Sequence, residues 1–298
     1  MQTMKYLKII YDEEELKWWY KYAVPPLKAN EIYFVSLSIR KKRLSTEEKT
    51  VIPHNEMFNK IQIRHDNWQS FIKHIRRLEQ RIDAYFPYES ESFIQNALVT
   101  YWNICPVDCY AAMKDQMNHL TEIMTTLTDS ALKNSKGGIE QAYYKVRKSF
   151  DTAQSLFARN FGTKAWIDFD IDDVIEGENY ERIRELFISF FGKGNTIFVK
   201  TGGGMHCLVR RSEYKINPDI VIDALKKILP GAKEIVRNSN EMIPLPGTLQ
   251  YNQPVIVMNK EDITLPMRPE TFGESEDVSF IMGEMADNHS ILNPEIGV

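Results

Sequence analysis

Apolar residues follow two different rhythms along the chain. From Ile32 to Ile39 (IYFVSLSI) β-branched and aromatic residues run almost unbroken, which predicts a strand leading into Arg40, Lys41, Lys42 and Arg43. Leu44 to Asn59 is polar, carries Pro53, and predicts a loop. Asp66 and Asn67 then precede Trp68, Phe71, Ile72, Ile75, Leu78 and Ile82. Spacings of three and four predict a helix, with Lys73, Arg76, Arg77 and Arg81 on its other face. Two more helices are predicted between Ser92 and Leu127 and another from Ile139 to Arg159. The Lys136-Gly137-Gly138 turn separates the last two.

After Gly162 the rhythm changes. Ala165 to Ile171 predicts a buried strand, and Tyr180 to Phe191 a helix with Ile183, Leu186, Phe187 and Phe190 on one face. Asn195 to Lys200 and Met205 to Arg210 predict two strands around a glycine turn. Pro218 to Leu229 predicts a helix with proline in its first turn. Lys233 to Val236 and Pro254 to Met258 predict short strands. Hairpins mixed with helices favour an α+β fold over a doubly wound parallel sheet.

Composition narrows the class. The 298 residues are 43% hydrophobic and 26% charged, with three cysteines and no apolar run long enough to span a membrane. A disulfide framework and a signal peptide are not expected, which fits a reducing, cytoplasmic setting. The net charge of −4 argues at first against nucleic acid. It is unevenly placed, however. Residues 1–160 hold 23 Lys and Arg against 19 Asp and Glu, and residues 161–298 hold 14 against 22. Seven acidic residues and no basic one follow Arg268, so 269–298 is expected to be a flexible acidic tail behind a single domain of residues 1–268.

The acidic strand WIDFDIDD carries the first candidate chemistry. Asp168 and Asp170 lie two apart and point to one face of a strand, while Phe169 and Ile171 point to the other. Adjacent carboxylates repel unless a cation lies between them, and hard divalent cations prefer oxygen ligands. Asp172 and Asp173 read first as a solvated strand end and only second as part of the site. Downstream, IFVKTGGGMHCLVRR places Lys200 and His206 either side of three glycines. Gly203 and Gly204 allow close backbone approach, so their N–H groups can meet phosphate oxygens. His206 is either a ligand-facing or a hydrogen-bonded core histidine, and Arg210 either a phosphate contact or a solvated strand end. Cys105 and Cys109 are read as structural rather than zinc ligands. Trp18 and Trp19 are read as core rather than base-stacking residues.

The order of these motifs resembles the archaeo-eukaryotic primase superfamily, in its primase-polymerase form. The resemblance rests on the hydrophobic DxD strand, the Gly204-Met205-His206 small-x-His hairpin and the IPLPGTLQYN segment. It covers about 90 residues, Ala165 to Asn252. It implies an RRM-like catalytic sheet with an N-terminal β and helical elaboration, core motifs at about 161–258 and a helical insertion at about 66–160. It implies two Mg²⁺ or Mn²⁺ ions on Asp168 and Asp170, with Glu241 the nearest carboxylate for a third ligand. It also implies nucleotide contacts from Gly204 and His206, and nucleic-acid contacts from Arg40 and Lys42. The residues themselves add Lys200, Gly203 and Arg210 as candidate phosphate contacts, and Arg76 and Arg77 as candidate template contacts on a helix face that reads more readily as solvated. Pro244 stands where the family has arginine before Leu-Pro-Gly, and no Asp lies at the third-ligand position.

The function so implied is template-directed nucleotidyl transfer on single-stranded DNA, as a DNA primase or primase-polymerase of a phage or other mobile element. Nucleoside triphosphates would be the substrates, and a separate helicase or single-strand-binding protein a partner. A primer-extending repair polymerase and a degenerate nucleic-acid-binding replication subunit are the alternatives.

Overall fold

Strand β1 (Glu31–Ile39) is buried at every position, because its two faces meet different surroundings. Tyr33, Val35, Leu37 and Ile39 enter the larger core, whereas Ile32 and Phe34 pack with Val107 and Ala112. Ser36 and Ser38 share the face of Ile32 and Phe34 and are buried although polar. The computed structural model describes residues 6–40, 46, 56–64, 67–79, 97–133, 135–141, 144, 162–173, 175–238 and 242–268. Residues 1–268 form one compact unit.

Around β1 runs an antiparallel sheet. It contains β2 (Glu56–Ile63), β3 (Leu98–Asn103), β4 (Val107–Asp108), β9 (Met242–Pro244), β10 (Leu249–Gln250) and β11 (Gln253–Pro254). β3 lies between β1 on one side and β9 and β10 on the other. Helix α1 (Glu13–Tyr22) covers this sheet's larger core with Leu16, Trp19 and Tyr20. Its N-cap Asp12 accepts from the Glu15 amide at 2.9 Å, and three acidic residues in its first turn suit the helix dipole. Helix α2 (Trp68–Arg76) is capped by Asn67 and buries Phe71, Ile72 and Ile75 in the same core.

The second sheet is built from β5 (Trp166–Ile171), β6 (Thr196–Lys200), β7 (Met205–Arg210), β8 (Ile235–Asn238) and β12 (Ile256–Val257). Its spatial order is β12-β6-β7-β5-β8, with every neighbouring pair antiparallel. α4 (Glu178–Phe191) joins β5 to β6, and α5 (Pro218–Ile228) joins β7 to β8. This is a β-α-β-β-α-β unit of the split type, in which β7 lies between the two strands that α4 connects. Phe169, Ile171, Met205, Cys207 and Val209 face α4 and α5 and form a second core with Ile183, Phe187, Val221 and Leu225. Trp166, Ile197, Val199 and Leu208 on the opposite face join the larger core.

The protein is thus α+β with antiparallel sheets. Several boundaries differ from expectation. Leu98–Asn103 (LVTYWN) is a strand near the middle of a sheet, not part of a helix, so the stretch 66–160 is not wholly helical. Among the described residues of 92–127 the helix is α3 (Cys109–Leu132), a 24-residue element capped by Asp108. Lys136, Gly137 and Gly138 lie inside a short helical stretch that starts at Lys136. The predicted loop at 44–59 runs into β2, which begins at Glu56. α1 had no apolar period strong enough to announce it. Its buried apolar residues are Leu16, Trp19 and Tyr20, beside a buried Glu15, among ten largely charged or aromatic residues.

Candidate functional site

β5 and β7 run side by side with Asp170 opposite His206 and Asp168 opposite Leu208. Residues directly opposite in an antiparallel pair share a face, so both carboxylates and the imidazole project together. His206 Nδ1 donates to Asp168 Oδ2 at 3.0 Å and lies 3.2 Å from Oδ1. His206 Nε2 is 3.8 Å from Asp170 Oδ1. Asp168 is fully buried, whereas the Asp170 side chain is 39% exposed. Burial opposes the charged imidazolium, but the charge and hydrogen bond of Asp168, helped by Asp170, outweigh it. Together they lift the His206 pKa from 6.5 to about 8. The same burial and the two carboxylates push the Cys207 thiol well above its ordinary value.

The turn between β6 and β7 is closed by Thr201. Its hydroxyl oxygen accepts from the amides of Gly203 at 3.3 Å and Gly204 at 3.1 Å and donates to the Gly204 carbonyl at 3.1 Å. The glycine amides expected to face phosphate are therefore engaged by a side chain of their own turn. Glycine is needed for a packing reason too. A Cβ on Gly204 would sit 2.1 Å from the Ile171 carbonyl oxygen, and one on Gly202 2.4 Å from that of Gln250. Gly203 has room, its nearest neighbour being the Tyr251 ring at 3.9 Å.

These groups open on one cleft of about 530 Å³. One side is the acidic face of the second sheet, with Asp170, His206, Gly203 and Gly204. The other is the polar face of the first sheet, with Ser36, Ser38, Tyr101 and Gln250, and Arg40 beside them. The Arg40 guanidinium lies over the Tyr101 ring at 5.5 Å. Burial, opposed by Arg40, pushes the Tyr101 hydroxyl up to about 12.

The structure thus gathers Asp168, Asp170, His206, Gly203, Gly204 and Arg40, and it separates the others. Lys200 lies opposite Met205, on the helix-covered face, and its Nζ pairs with Glu176 Oε1 at 2.6 Å. It is therefore on the wrong side of the sheet for the cleft. Arg210 shares the parity of His206 but lies at the far end of β7, roughly 13 Å along the strand. There it packs over the Trp166 ring and donates to the Leu265 carbonyl and Met267 sulfur. Arg76 pairs with Glu13 Oε2 at 2.7 Å on an exposed helix face, and Arg77 is exposed on the turn that ends that helix. Lys42, Glu241 and the tail 269–298 fall outside the described residues.

The IPLPGTLQYN segment is placed beside the cleft but has a structural task of its own. Gly247, at φ +86°, accepts from the Tyr11 and Asp12 amides and anchors the start of α1. Sequence reasoning missed Ser36, Ser38, Tyr101 and Gln250. The signal available for the first two was a pair of hydroxyls two residues apart inside an otherwise apolar strand.

A divalent cation needs open oxygen ligands. The Asp170 side chain is 39% exposed, whereas both Asp168 oxygens lie within 3.2 Å of His206 Nδ1. Among the described residues no group of three or more His, Cys, Asp or Glu side chains is gathered for a metal, and Cys105, Cys109 and Cys207 are free thiols. Of the two strand carboxylates only Asp170 lines the cleft, where Asp172 also lies, while Asp168 is held by His206. No helix among the described residues is long and apolar enough to cross a membrane. In comparison with known proteins, no family model, no curated protein and no solved structure matches the chain.

Proposed function

We propose that the cleft is the site of a nucleotidyltransferase of the primase-polymerase kind, acting on nucleoside triphosphates and a single-stranded DNA template. The observation that carries the reading is the convergence of Asp170, His206 and the glycine turn on one cleft of a β-α-β-β-α-β sheet, with Asp168 buried against His206. Asp170, with Asp168 behind it, would hold Mg²⁺ or Mn²⁺. When bound, such an ion neutralises triphosphate charge and makes an attacking 3′-hydroxyl easier to deprotonate.

The chain's own residues do the rest. With Nδ1 fixed by Asp168, His206 presents Nε2 to the cleft and carries a proton at neutral pH, so it suits an anionic phosphate oxygen. Arg40, exposed at the end of β1, adds a second cation at the mouth. Phosphate approach to the Gly203 and Gly204 amides would displace the Thr201 hydroxyl that they now serve.

The test is incubation with a single-stranded template, labelled nucleotides and Mg²⁺ or Mn²⁺, with and without a primer. Wild-type protein should form labelled polymer and Asp170→Ala should not. Product only when a primer is supplied would mark an extending polymerase rather than a primase. One observation favours a second reading, a nucleotide- or nucleic-acid-binding subunit without chemistry. Asp168 is wholly buried and taken up by His206 rather than open to a cation. Nucleotide binding without any incorporation would establish that alternative.

A further inference from the structure

Helix α3 carries an apolar stripe that the fold leaves exposed. Met113, Met117, Leu120, Met124, Leu127 and Ala131 follow one another at steps of four and three residues in turn. That is the spacing of a coiled-coil seam. Met113 is 59%, Met117 64% and Met124 55% exposed. Ala112 and Ile123, on the neighbouring face, are buried. The helix is therefore seated on the protein by one side and presents the stripe with another. The stripe lies away from the cleft between the sheets and borders a groove of about 450 Å³ along Met117, Leu120 and Met124.

The residues around the stripe set what can cover it. Its borders carry no charge except Lys114. Thr121 and Thr128 stand on one border, and their hydroxyls donate to the Met117 and Met124 carbonyls at 2.9 and 3.0 Å. Those hydroxyls are turned onto the helix's own backbone. Asp115, Glu122 and Asp129 recur every seven residues, on the side opposite the stripe. An anionic membrane or a nucleic acid would require basic residues on that polar side. A helix with a matching seam requires only that the acids stand clear of it.

Every other copy of the chain carries the same seam. We propose that a second copy covers the stripe, the two α3 helices pairing antiparallel as a short coiled coil. With Leu120 of one copy against Met124 of the other, Met117 meets Leu127 and Met113 meets Ala131. The same register brings Lys114 level with Asp129 of the second copy, twice by symmetry. Parallel pairing would bring Lys114 level with Lys114 and Asp129 level with Asp129. Unbranched methionine side chains adapt readily to such a seam. The 24-residue helix is about 36 Å long and 10–12 Å wide, a footprint of roughly 400 Å² per copy. Standard interfaces bury about 800 Å² per partner, so the pair is weak, with a dissociation constant on the order of 10–100 µM.

Sedimentation equilibrium on the full chain, from about 1 to about 300 µM, should show a monomer passing into a dimer. Met117→Lys should raise the dissociation constant about tenfold or more, by placing a charge in the seam. Glu122→Lys, on the opposite side, should leave it within about twofold. Both positions are exposed, so the unfolding midpoints should hold and loss of pairing is told apart from loss of fold. Lys114→Glu should weaken the dimer about threefold or more, and adding Asp129→Lys should restore it. A monomer at every concentration, or a dimer that Met117→Lys leaves intact, overturns the proposal. A double variant no tighter than Lys114→Glu alone overturns the antiparallel register. None of these readouts depends on the chemistry of the cleft.

Discussion

Protonation of His206 should tie stability to pH in a narrow window, and the size follows from its surroundings. The imidazole is 7% exposed and held between Asp168 at 3.0 Å and Asp170 at 3.8 Å. Its pKa in the fold is about 8 against an ordinary 6.5. That rise corresponds to about 2 kcal/mol of extra stability while the group is protonated in both states. A raised pKa means the contribution is complete below pH 6.5 and is lost as the pH climbs through about 8. The perturbation is His206→Asn, compared with wild type by urea unfolding at half-unit steps from pH 5.5 to 9, with a chelator throughout. Taking the difference between the two proteins removes the titrating groups that His206 does not touch. The stability advantage of the wild type should fall by about 2 kcal/mol across the window. A difference that stays flat, or that grows toward alkaline pH, would refute the coupling of His206 to the two carboxylates.

The two carboxylates should respond differently to removal. Asp168→Ala strips a buried imidazolium of its hydrogen-bonded partner and should cost about 3–5 kcal/mol, whereas Asp170→Ala, at a half-open position, should cost under about 1 kcal/mol by the same urea assay. Gly204→Ala and Gly202→Ala press a methyl against backbone carbonyls and should each lower the unfolding midpoint clearly, while Gly203→Ala should leave it within a degree or two. Gly247→Ala combines φ +86° with a contact of 2.5 Å to the Asp12 carbonyl oxygen, and should cost about 2 kcal/mol or more. Arg184 grips Asp262 with two bonds of 2.7 Å, and Asp262 is 4% exposed. Arg184→Leu leaves that carboxylate with Lys193 at 3.5 Å among its cations, so about 2–4 kcal/mol should be lost on chemical denaturation.

Much of the second sheet was legible in the chain, because its strands are short, apolar on one face and punctuated by glycine or proline. Trp166–Ile171, Thr196–Lys200 and Met205–Arg210 fall within a residue of where alternation puts them. The first sheet was harder. LVTYWN alternates no better than a helix of the same composition, and only its pairing with β1, β9 and β10 makes it a strand.

Parity also predicted that Asp168, Asp170 and His206 share a face. Parity alone could not place Lys200, because the alternation of β6 was never joined to that of β7. Val199 is opposite His206, so Lys200 belongs to the helix side. Nor could it reveal the other side of the cleft, since Ser36 and Gln250 are 214 residues apart in sequence and meet only through β3.

The pair of carboxylates shows the limit most clearly. In the sequence Asp168 and Asp170 are equivalent members of one motif. In the fold Asp168 is opposite Leu208, within the larger core's side of the sheet, while Asp170 is opposite His206 at the cleft. A step of two residues along one strand therefore separates a fully buried carboxylate from one that reaches the cleft. The local motif sets which face both side chains take. Long-range register decides which of them is available to a ligand.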